Sequence, residues 1–285
     1  MILHRKTLHF LLAAAFALLL SACQEKTVDM AVAAKDQAAG LERLIARGDA
    51  PLYRCDVIRV YRHDPEAYTQ GLLIRDGFLY ESTGLKKRST LRQVDLESGR
   101  IIRSVALPDH LFAEGLTLLD GKFFQLTWKA GTARIYDQVT LEQTGEFTYE
   151  TEGWGLTNDG SSLIMGDGSS RLYFLDPDTF RPIRQITVQA GREPVSFLNE
   201  LEYIEGEIFA SIFMSDYIAR IDPVSGRVTG WIDARRLRHE NGNGPRAGAL
   251  NGIAFDPDTK RIFLTGKRWT KLFEVQFAEA SPFRQ

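Results

Sequence analysis

One carboxylate, Glu114, belongs to a set of residues that recur at nearly equal intervals. Gln70, Glu114, Trp154, Asn199 and Asn251 each lead a short apolar stretch, and successive members are 44, 40, 45 and 52 positions apart. Trp128 and Phe213 both lie 14 residues after a member of this set, so they should occupy matching positions. With Trp154 they would form an aromatic collar around a single carboxylate. A carboxylate partly enclosed by indoles has its proton affinity raised by burial. Aromatic walls suit the aliphatic part of a small ligand and can face a cation, while polar tips such as Gln70, Asn199 and Lys267 fix its ends. The arrangement suits a small ligand that carries both an amine and an amide. Taken singly, each residue has a plainer reading. Glu114 would be a solvated turn residue, Trp128 and Trp154 core packing, Lys267 surface, Glu81 a structural hydrogen-bonding group and Asp167 part of a turn.

A period of 40–50 residues with strand-like text inside each unit is the mark of a β-propeller, in which equivalent positions meet around one axis. After each lead residue comes a short apolar strand and then a turn: Asp76-Gly77, Asp120-Gly121, Asp159-Gly160, Glu205-Gly206 and Asp256-Pro257. Asp-Gly pairs favour hairpins because both residues tolerate positive φ. Second strands follow at Phe78-Leu79-Tyr80, Phe123-Phe124, Leu163-Ile164-Met165, Ile208-Phe209 and Ile262-Phe263-Leu264. Third strands end in Asp95, Asp137, Asp176 and Asp222, and fourth strands are read near 101–105, 146–149, 183–188 and 227–232. The fifth unit stops after its third strand, Leu272–Gln276, and the alternating run from Cys55 to Tyr61 supplies what it lacks. The expectation is an all-β, five-bladed propeller over residues 52–285, its ring closed by an N-terminal strand that completes the last blade and removes an exposed edge. A β-sandwich or open sheet is the alternative. Lys86–Ser89 and the polar stretch Arg235–Gly248 are read as loops, the latter at the channel mouth.

The first 22 residues read as a secretory signal. A basic tip (His4, Arg5, Lys6) precedes a largely apolar run from Leu8 to Leu20, too short to span a bilayer comfortably. Leu20-Ser21-Ala22-Cys23 fits a bacterial lipoprotein processing box, with Cys23 as the lipidated residue. By resemblance to Gram-negative lipoproteins, Gln24 after that Cys favours the outer membrane, facing the periplasm. An ordinary signal cleaved near Ala22 is the other reading. Residues 23–51, rich in Ala, Lys, Glu and Gln, are read as a partly helical tether to the membrane. With Cys23 lipidated, Cys55 has no partner for an intrachain disulfide. Without Arg5 and Lys6, 33 basic side chains face 37 acidic ones, a net charge of −4 with no surplus for nucleic acid.

Eight segments together carry a family resemblance. They are Tyr68-Thr69-Gln70-Gly71-Leu72, Tyr80-Glu81-Ser82-Thr83-Gly84, Phe112-Ala113-Glu114-Gly115-Leu116-Thr117, Gln125-Leu126-Thr127-Trp128, Glu152-Gly153-Trp154-Gly155-Leu156-Thr157, Leu198-Asn199-Glu200-Leu201-Glu202-Tyr203, Leu250-Asn251-Gly252-Ile253-Ala254 and Thr265-Gly266-Lys267. In order and spacing the chain, from about Leu52 to Val275, resembles the plant and bacterial glutaminyl-peptide cyclotransferases, which are five-bladed propellers. The resemblance implies cyclisation of the N-terminal glutamine of peptides or proteins to pyroglutamate, with release of ammonia. It assigns Glu114 as general acid/base and Gln70, Trp128, Trp154, Asn199 and Lys267 to the pocket, with Tyr68 and Phe213 at pocket positions where the family usually has Phe and Trp. Ser211 also stands where Asn is common. The oxyanion is expected to be met by a Trp N–H, Asn199 or Gln70.

The five His show no metal-ligand spacing with one another or with Cys, so no cofactor is expected for catalysis. A structural ion such as calcium in the central channel is left open, and a monomer is expected. The competing readings are a non-catalytic envelope propeller that binds peptides or acts as a scaffold, and a calcium-dependent lactonase-like propeller. The latter chemistry wants several carboxylates on one ion, where the lead residues supply one.

Overall fold

Three hairpins turn on two consecutive residues with positive φ: Asp76-Gly77 at 53° and 77°, Asp120-Gly121 at 49° and 73°, and Glu205-Gly206 at 49° and 92°. Their backbone twist matches that of the strands they join. A computed structural model describes residues 39–280 apart from Asn243 and Pro245. The signal, Cys23 and most of the tether lie outside those residues. Two compact units are distinguished, Met1–Ala46 and Arg47–Gln285. In the first, residues 39–46 are helical. All strands among the described residues belong to the second.

Strands β1 (Leu52–Arg62), β2 (Thr69–Arg75), β3 (Phe78–Thr83), β4 (Thr90–Asp95) and β5 (Ile101–Ala106) come first. They are followed by β6 (Ala113–Leu119), β7 (Lys122–Thr127), β8 (Thr132–Asp137) and β9 (Gln143–Thr148), then by β10 (Leu156–Asn158), β11 (Leu163–Gly166), β12 (Arg171–Leu175) and β13 (Pro182–Thr187). A ribbon of β14 (Gln189–Ala190) and β15 (Glu193–Pro194) leads to β16 (Leu198–Ile204), β17 (Glu207–Ile212), β18 (Tyr217–Ile221) and β19 (Val228–Asp233). Last are β20 (Leu250–Asp256), β21 (Arg261–Gly266) and β22 (Lys271–Glu279).

The fold is all-β and propeller-like. β2–β5, β6–β9 and β10–β13 each form a four-stranded sheet in sequence order. The remaining eight strands form one sheet in the order β16-β17-β18-β19-β1-β22-β21-β20. Strand β1 runs antiparallel to β22 from Tyr53↔Glu279 to Arg62↔Lys271, so the N-terminal strand does complete the last group. Its first three residues also pair in parallel with β19, Leu52↔Trp231 to Arg54↔Asp233, which merges two groups that the sequence pattern treats as separate.

Burial grades outward across each group. β2 is buried from Thr69 to Ile74 and β6 is buried but for Leu118, whereas the outer strands β5, β9 and β13 are largely exposed or half-buried. β19 is the exception, because β1 covers its edge. The acidic residues after the third strands have a structural reason. Asp137, Asp176 and Asp222 each accept two backbone N–H groups from the turn that follows, and Asp95 accepts one.

One sequence expectation is corrected. Arg235–Gly248 is not loop throughout, because Arg235–Asn241 is a short helix. Burial of Leu237 and the Arg236–Glu240 pair at 2.6 Å, one turn apart, stabilise a segment whose polar composition disguised it. Glu81 is a buried hydrogen-bonding group, in line with its plainer sequence reading. Its Oε1 accepts from Thr69 Oγ1 at 2.7 Å and lies 3.1 Å from His63 Nε2, while His63 Nδ1 faces the Trp269 carbonyl at 2.8 Å. Arg92 bonds Asp64 at 2.7 Å and stands 3.8 Å from Glu81.

Candidate active site

The lead residues sit where strands break register. In β2 the pairing shifts between Thr69 and Gly71, in β6 between Ala113 and Leu116, in β16 between Leu198 and Leu201, and in β20 between Leu250 and Ile253. Gln70, Glu114, Asn199 and Asn251 therefore lie on β-bulges, which re-aim side chains at the ends of strands. The recurring Gly after the lead residue has a steric cause. A Cβ on Gly115 would lie 2.4 Å from the Leu156 nitrogen, and one on Gly155 would lie 2.0 Å from the Asn199 carbonyl oxygen. No side chain fits after Glu114 or Trp154, whereas Glu200 after Asn199 buries its carboxylate against Leu72 and Ile253.

Trp128 and Phe213 do occupy matching positions. Each donates its backbone N–H to a Phe sixteen residues earlier, Phe112 and Phe197, both at 2.9 Å. Lys267 is held the same way by the Ala249 carbonyl at 2.9 Å.

Tyr68, Trp128, Trp154, Phe213 and Lys267 form, together with Phe112 and Glu152, a chain of contacts that closes on itself. The Tyr68 ring meets Phe112 edge-on at 6.1 Å, and Phe112 packs on Trp128 at 5.7 Å. Trp128 Nε1 donates to Glu152 Oε2 at 2.7 Å, and Trp154 Nε1 donates to the same oxygen at 3.0 Å. Trp154 meets Phe213 edge-on at 5.6 Å. Lys267 Nζ then lies 5.3 Å from the Phe213 ring centre and 5.0 Å from that of Tyr68, within cation–π reach of both. Phe213 thus packs between Trp154 and Lys267 without an indole N–H.

Glu114 is 5 % exposed, and among the described residues no group hydrogen-bonds its carboxylate. Burial pushes its carboxyl well above the usual range; the charge of Lys267 works against this and that of Glu152 adds to it. Burial also pulls the Lys267 ammonium down to about 8, against the attraction of Glu114. The Tyr68 hydroxyl is raised by burial and by the charge of Glu114, with Arg268 opposing. Both members of the Glu114–Lys267 pair are thus shifted toward neutrality, which suits proton exchange more than a fixed ion pair.

The amides divide into partnered and unpartnered. Asn251 Nδ2 donates to Gln70 Oε1 at 3.0 Å and to the Thr69 carbonyl at 2.9 Å, and its Oδ1 accepts from Ser211 at 3.1 Å. That fixes the Gln70 amide while leaving its Nε2 without a protein acceptor among the described residues. Asn199 Nδ2 is buried and also lacks an acceptor. An unmet buried donor costs about 1–3 kcal/mol, which a ligand oxygen would recover. The indoles, by contrast, are not free donors, because Glu152 takes both N–H groups. That corrects the expectation that a Trp N–H meets the oxyanion.

Two site residues escaped the sequence reading, Phe112 and Glu152. Glu152 lies two residues before a lead residue, off the repeating template, so only its adjacency to Trp154 could have pointed to it. Asp167 is a turn residue, accepting from Ser169 N and Tyr173 Oη, both at 2.9 Å. Among the described residues there is no cluster of three or more His, Cys, Asp or Glu that could hold a metal ion. No helix among them is long and apolar enough to cross a membrane.

Comparison with known proteins gives consistent matches. The family model described as glutamine cyclotransferase matches residues 26–277. Glutaminyl-peptide cyclotransferase of Arabidopsis thaliana is 40 % identical over 230 residues, covering 79 % of this chain and 72 % of that protein. The crystal structure of Myxococcus xanthus glutaminyl cyclase superposes with a TM-score of 0.77 at 36 % identity, over 81 % of this chain and 100 % of that one.

Proposed function

The chain belongs to the glutamine cyclotransferase family, and from that premise we propose how its site converts an N-terminal glutamine into pyroglutamate with release of ammonia. The observation that carries the mechanism is Glu114: a buried carboxylate of raised proton affinity, without a hydrogen-bond partner among the described residues, beside a ring of aromatic contacts that ends on Lys267.

Both reacting groups belong to one substrate residue, so the protein's first task is conformational. Trp128, Trp154, Phe213 and Tyr68 fold the glutamine side chain back until the α-amine faces its own amide carbon. Holding such a near-attack geometry can supply several kcal/mol of the barrier. As the amine nitrogen bonds to the amide carbon, Glu114 takes the proton the amine loses. As the bond from that carbon to the side-chain nitrogen breaks, Glu114 returns the proton and ammonia leaves. The carboxylate ends as it began, and a raised proton affinity suits both halves of the relay. The Asn199 and Gln70 amide N–H groups, without an acceptor among the described residues, meet the oxyanion of the tetrahedral intermediate. Lys267 lowers the proton affinity of Glu114 and so keeps part of it in the base form. No cofactor is assigned to this sequence of steps.

The same proposal reads the sheets as five blades in a closed ring. Support comes from the inner-strand contacts: Gly115 against Leu156, Gly155 against Asn199, Gly252 against Thr69, and Glu200 accepting the N–H groups of both Leu72 and Ile253. The domain scheme is a signal over 1–22, a lipid-anchored tether from Cys23 to residue 51 and a catalytic propeller from Leu52, acting as a monomer at the periplasmic face of the outer membrane.

The test is ammonia release from a Gln-initiated dipeptide and from its N-acetylated form. Release is expected only with the free amine. Equal release from both would mean amide hydrolysis without cyclisation and would overturn the mechanism.

A further inference from the structure

We infer that Glu152 is a positioning residue for the cyclisation: by accepting the indole N–H of Trp128 and of Trp154 on one oxygen, it locks the two aromatic walls of the pocket at a fixed separation and places a permanent negative charge near Glu114. The inference rests on the function proposed above and deepens it.

Two donors on one carboxylate oxygen, at 2.7 and 3.0 Å, is a specific arrangement. Hydrogen bonds to an ionised acceptor are roughly twice as strong as neutral ones, and these join the end of β7 to the segment that leads into β10. The segment that carries Glu152 is itself fixed. Gly153 donates its N–H to the Trp128 carbonyl at 2.9 Å, and a Cβ there would lie 2.2 Å from the Tyr149 hydroxyl. Trp154 lies flat on Gly168, whose φ of +80° and lack of room for a Cβ admit only glycine. The indoles are thus supported from behind and pinned at their edges. Lys129 completes the cluster, 3.3 Å from Glu152 Oε1 and 4.3 Å from the Trp128 ring centre.

The two carboxylates of the site have opposite characters. Although burial works to raise it, Glu152 is held below the usual range by the hydrogen bonds of Trp154, Trp128 and Lys129, so it stays ionised. Glu114 is raised, and the charge of Glu152 contributes. The charged or titratable groups acting on Glu114 are Lys267 and Glu152, while Tyr68 and Tyr149 feel its charge in return. A pair of carboxyls driven apart in this way divides the work: one moves the proton, the other keeps its charge and holds the walls.

The experiment compares wild type, Glu152→Gln and Trp128→Phe with a Gln-initiated dipeptide across pH, with thermal melts to establish folding. Glu152→Gln removes the charge and half of the acceptor capacity. A loss in kcat/KM on the order of 10–100-fold is expected, carried mainly by KM, as for a misplaced pocket wall. The acidic limb of the rate profile should also move to lower pH, because Glu114 loses a neighbouring negative charge. Trp128→Phe keeps a ring but no N–H, so it should reproduce part of the KM rise without the pH shift, and it tests the bridge even if Glu152→Gln does not fold. Wild-type KM and an unmoved acidic limb in folded Glu152→Gln, or wild-type KM in Trp128→Phe, would overturn the inference. A wild type that releases no ammonia would instead refute the activity itself, so the two failures are distinct.

Discussion

Replacing Glu114 by Gln keeps the side chain's size and removes its ability to carry a proton between two nitrogens. Glu114 is 5 % exposed and lacks a hydrogen-bond partner among the described residues, so the change strands no protein donor and should leave the fold intact. A general acid/base contributes roughly 10²–10⁴-fold to rate. At 1.36 kcal/mol per decade that is about 3–5 kcal/mol of transition-state stabilisation. The loss should fall on kcat, because Trp128, Trp154, Phe213 and Tyr68 still bind the substrate. One secondary effect is built into the pair: without the attraction of Glu114, the Lys267 ammonium titrates below its present value of about 8. The assay is steady-state ammonia release, with binding followed separately by tryptophan fluorescence, since Trp128 and Trp154 line the site. In wild type the acidic limb of kcat/KM should lie above the ordinary carboxylate range, because burial raises Glu114, and Glu114→Gln should abolish that limb. A folded Glu114→Gln protein with near-normal kcat would refute the assignment of the proton relay.

Other outcomes test separate parts of the account. Lys267→Met removes the charge that lowers the proton affinity of Glu114, so the acidic limb of the rate profile should move to higher pH; a shift the other way would contradict the pairing. His63→Ala leaves the buried Glu81 short of its closest charged partner and should cost roughly 3–5 kcal/mol of stability by chemical denaturation. Burial lowers the His63 pKa, but the charge and hydrogen bond of Glu81 outweigh this and raise it above 6.5. Its contribution to stability is therefore complete below 6.5 and lost as pH rises through the raised value, so the wild-type melting temperature should fall across that window and that of His63→Ala should not. Exhaustive chelation should leave the initial rate unchanged; slow loss of stability alone would reveal a structural ion, whereas immediate, zinc-reversible inhibition would point to another mechanism. Cys23→Ser should move the protein from the membrane fraction to the soluble one or leave it unprocessed, and lipid should be absent from its mature N-terminus.

What the sequence made legible was whatever the repeat enforces. Gln70, Glu114, Asn199 and Asn251 could be aligned because the inner strands leave no room for a side chain after most of them, so the lead-Gly-Leu text recurs for a steric reason. That these residues sit on bulges was not legible, since a register shift is a property of two strands and neither spells it alone. The site's second carboxylate was hidden for a related reason. Glu152 meets Trp128 across 24 residues and lies outside the template position, so its partnership exists only in three dimensions. The parallel contact of β1 with β19 is likewise a long-range event that alternation in either strand cannot announce. The helix Arg235–Asn241 was read as loop because its helical character depends on burying Leu237 and on Arg238 bonding Asp216 at 2.6 Å, tertiary contacts that override a polar local pattern.

The central claim is that the protein closes a ring rather than hydrolyses an amide, and mass spectrometry of the peptide product reads this directly. Incubated with a Gln-initiated dipeptide, the mature protein should yield a product lighter than the substrate by one ammonia, with a blocked N-terminus and one ammonia released per peptide. A product that carries N-terminal glutamate, its amine free and its mass that of simple deamidation, would contradict the account.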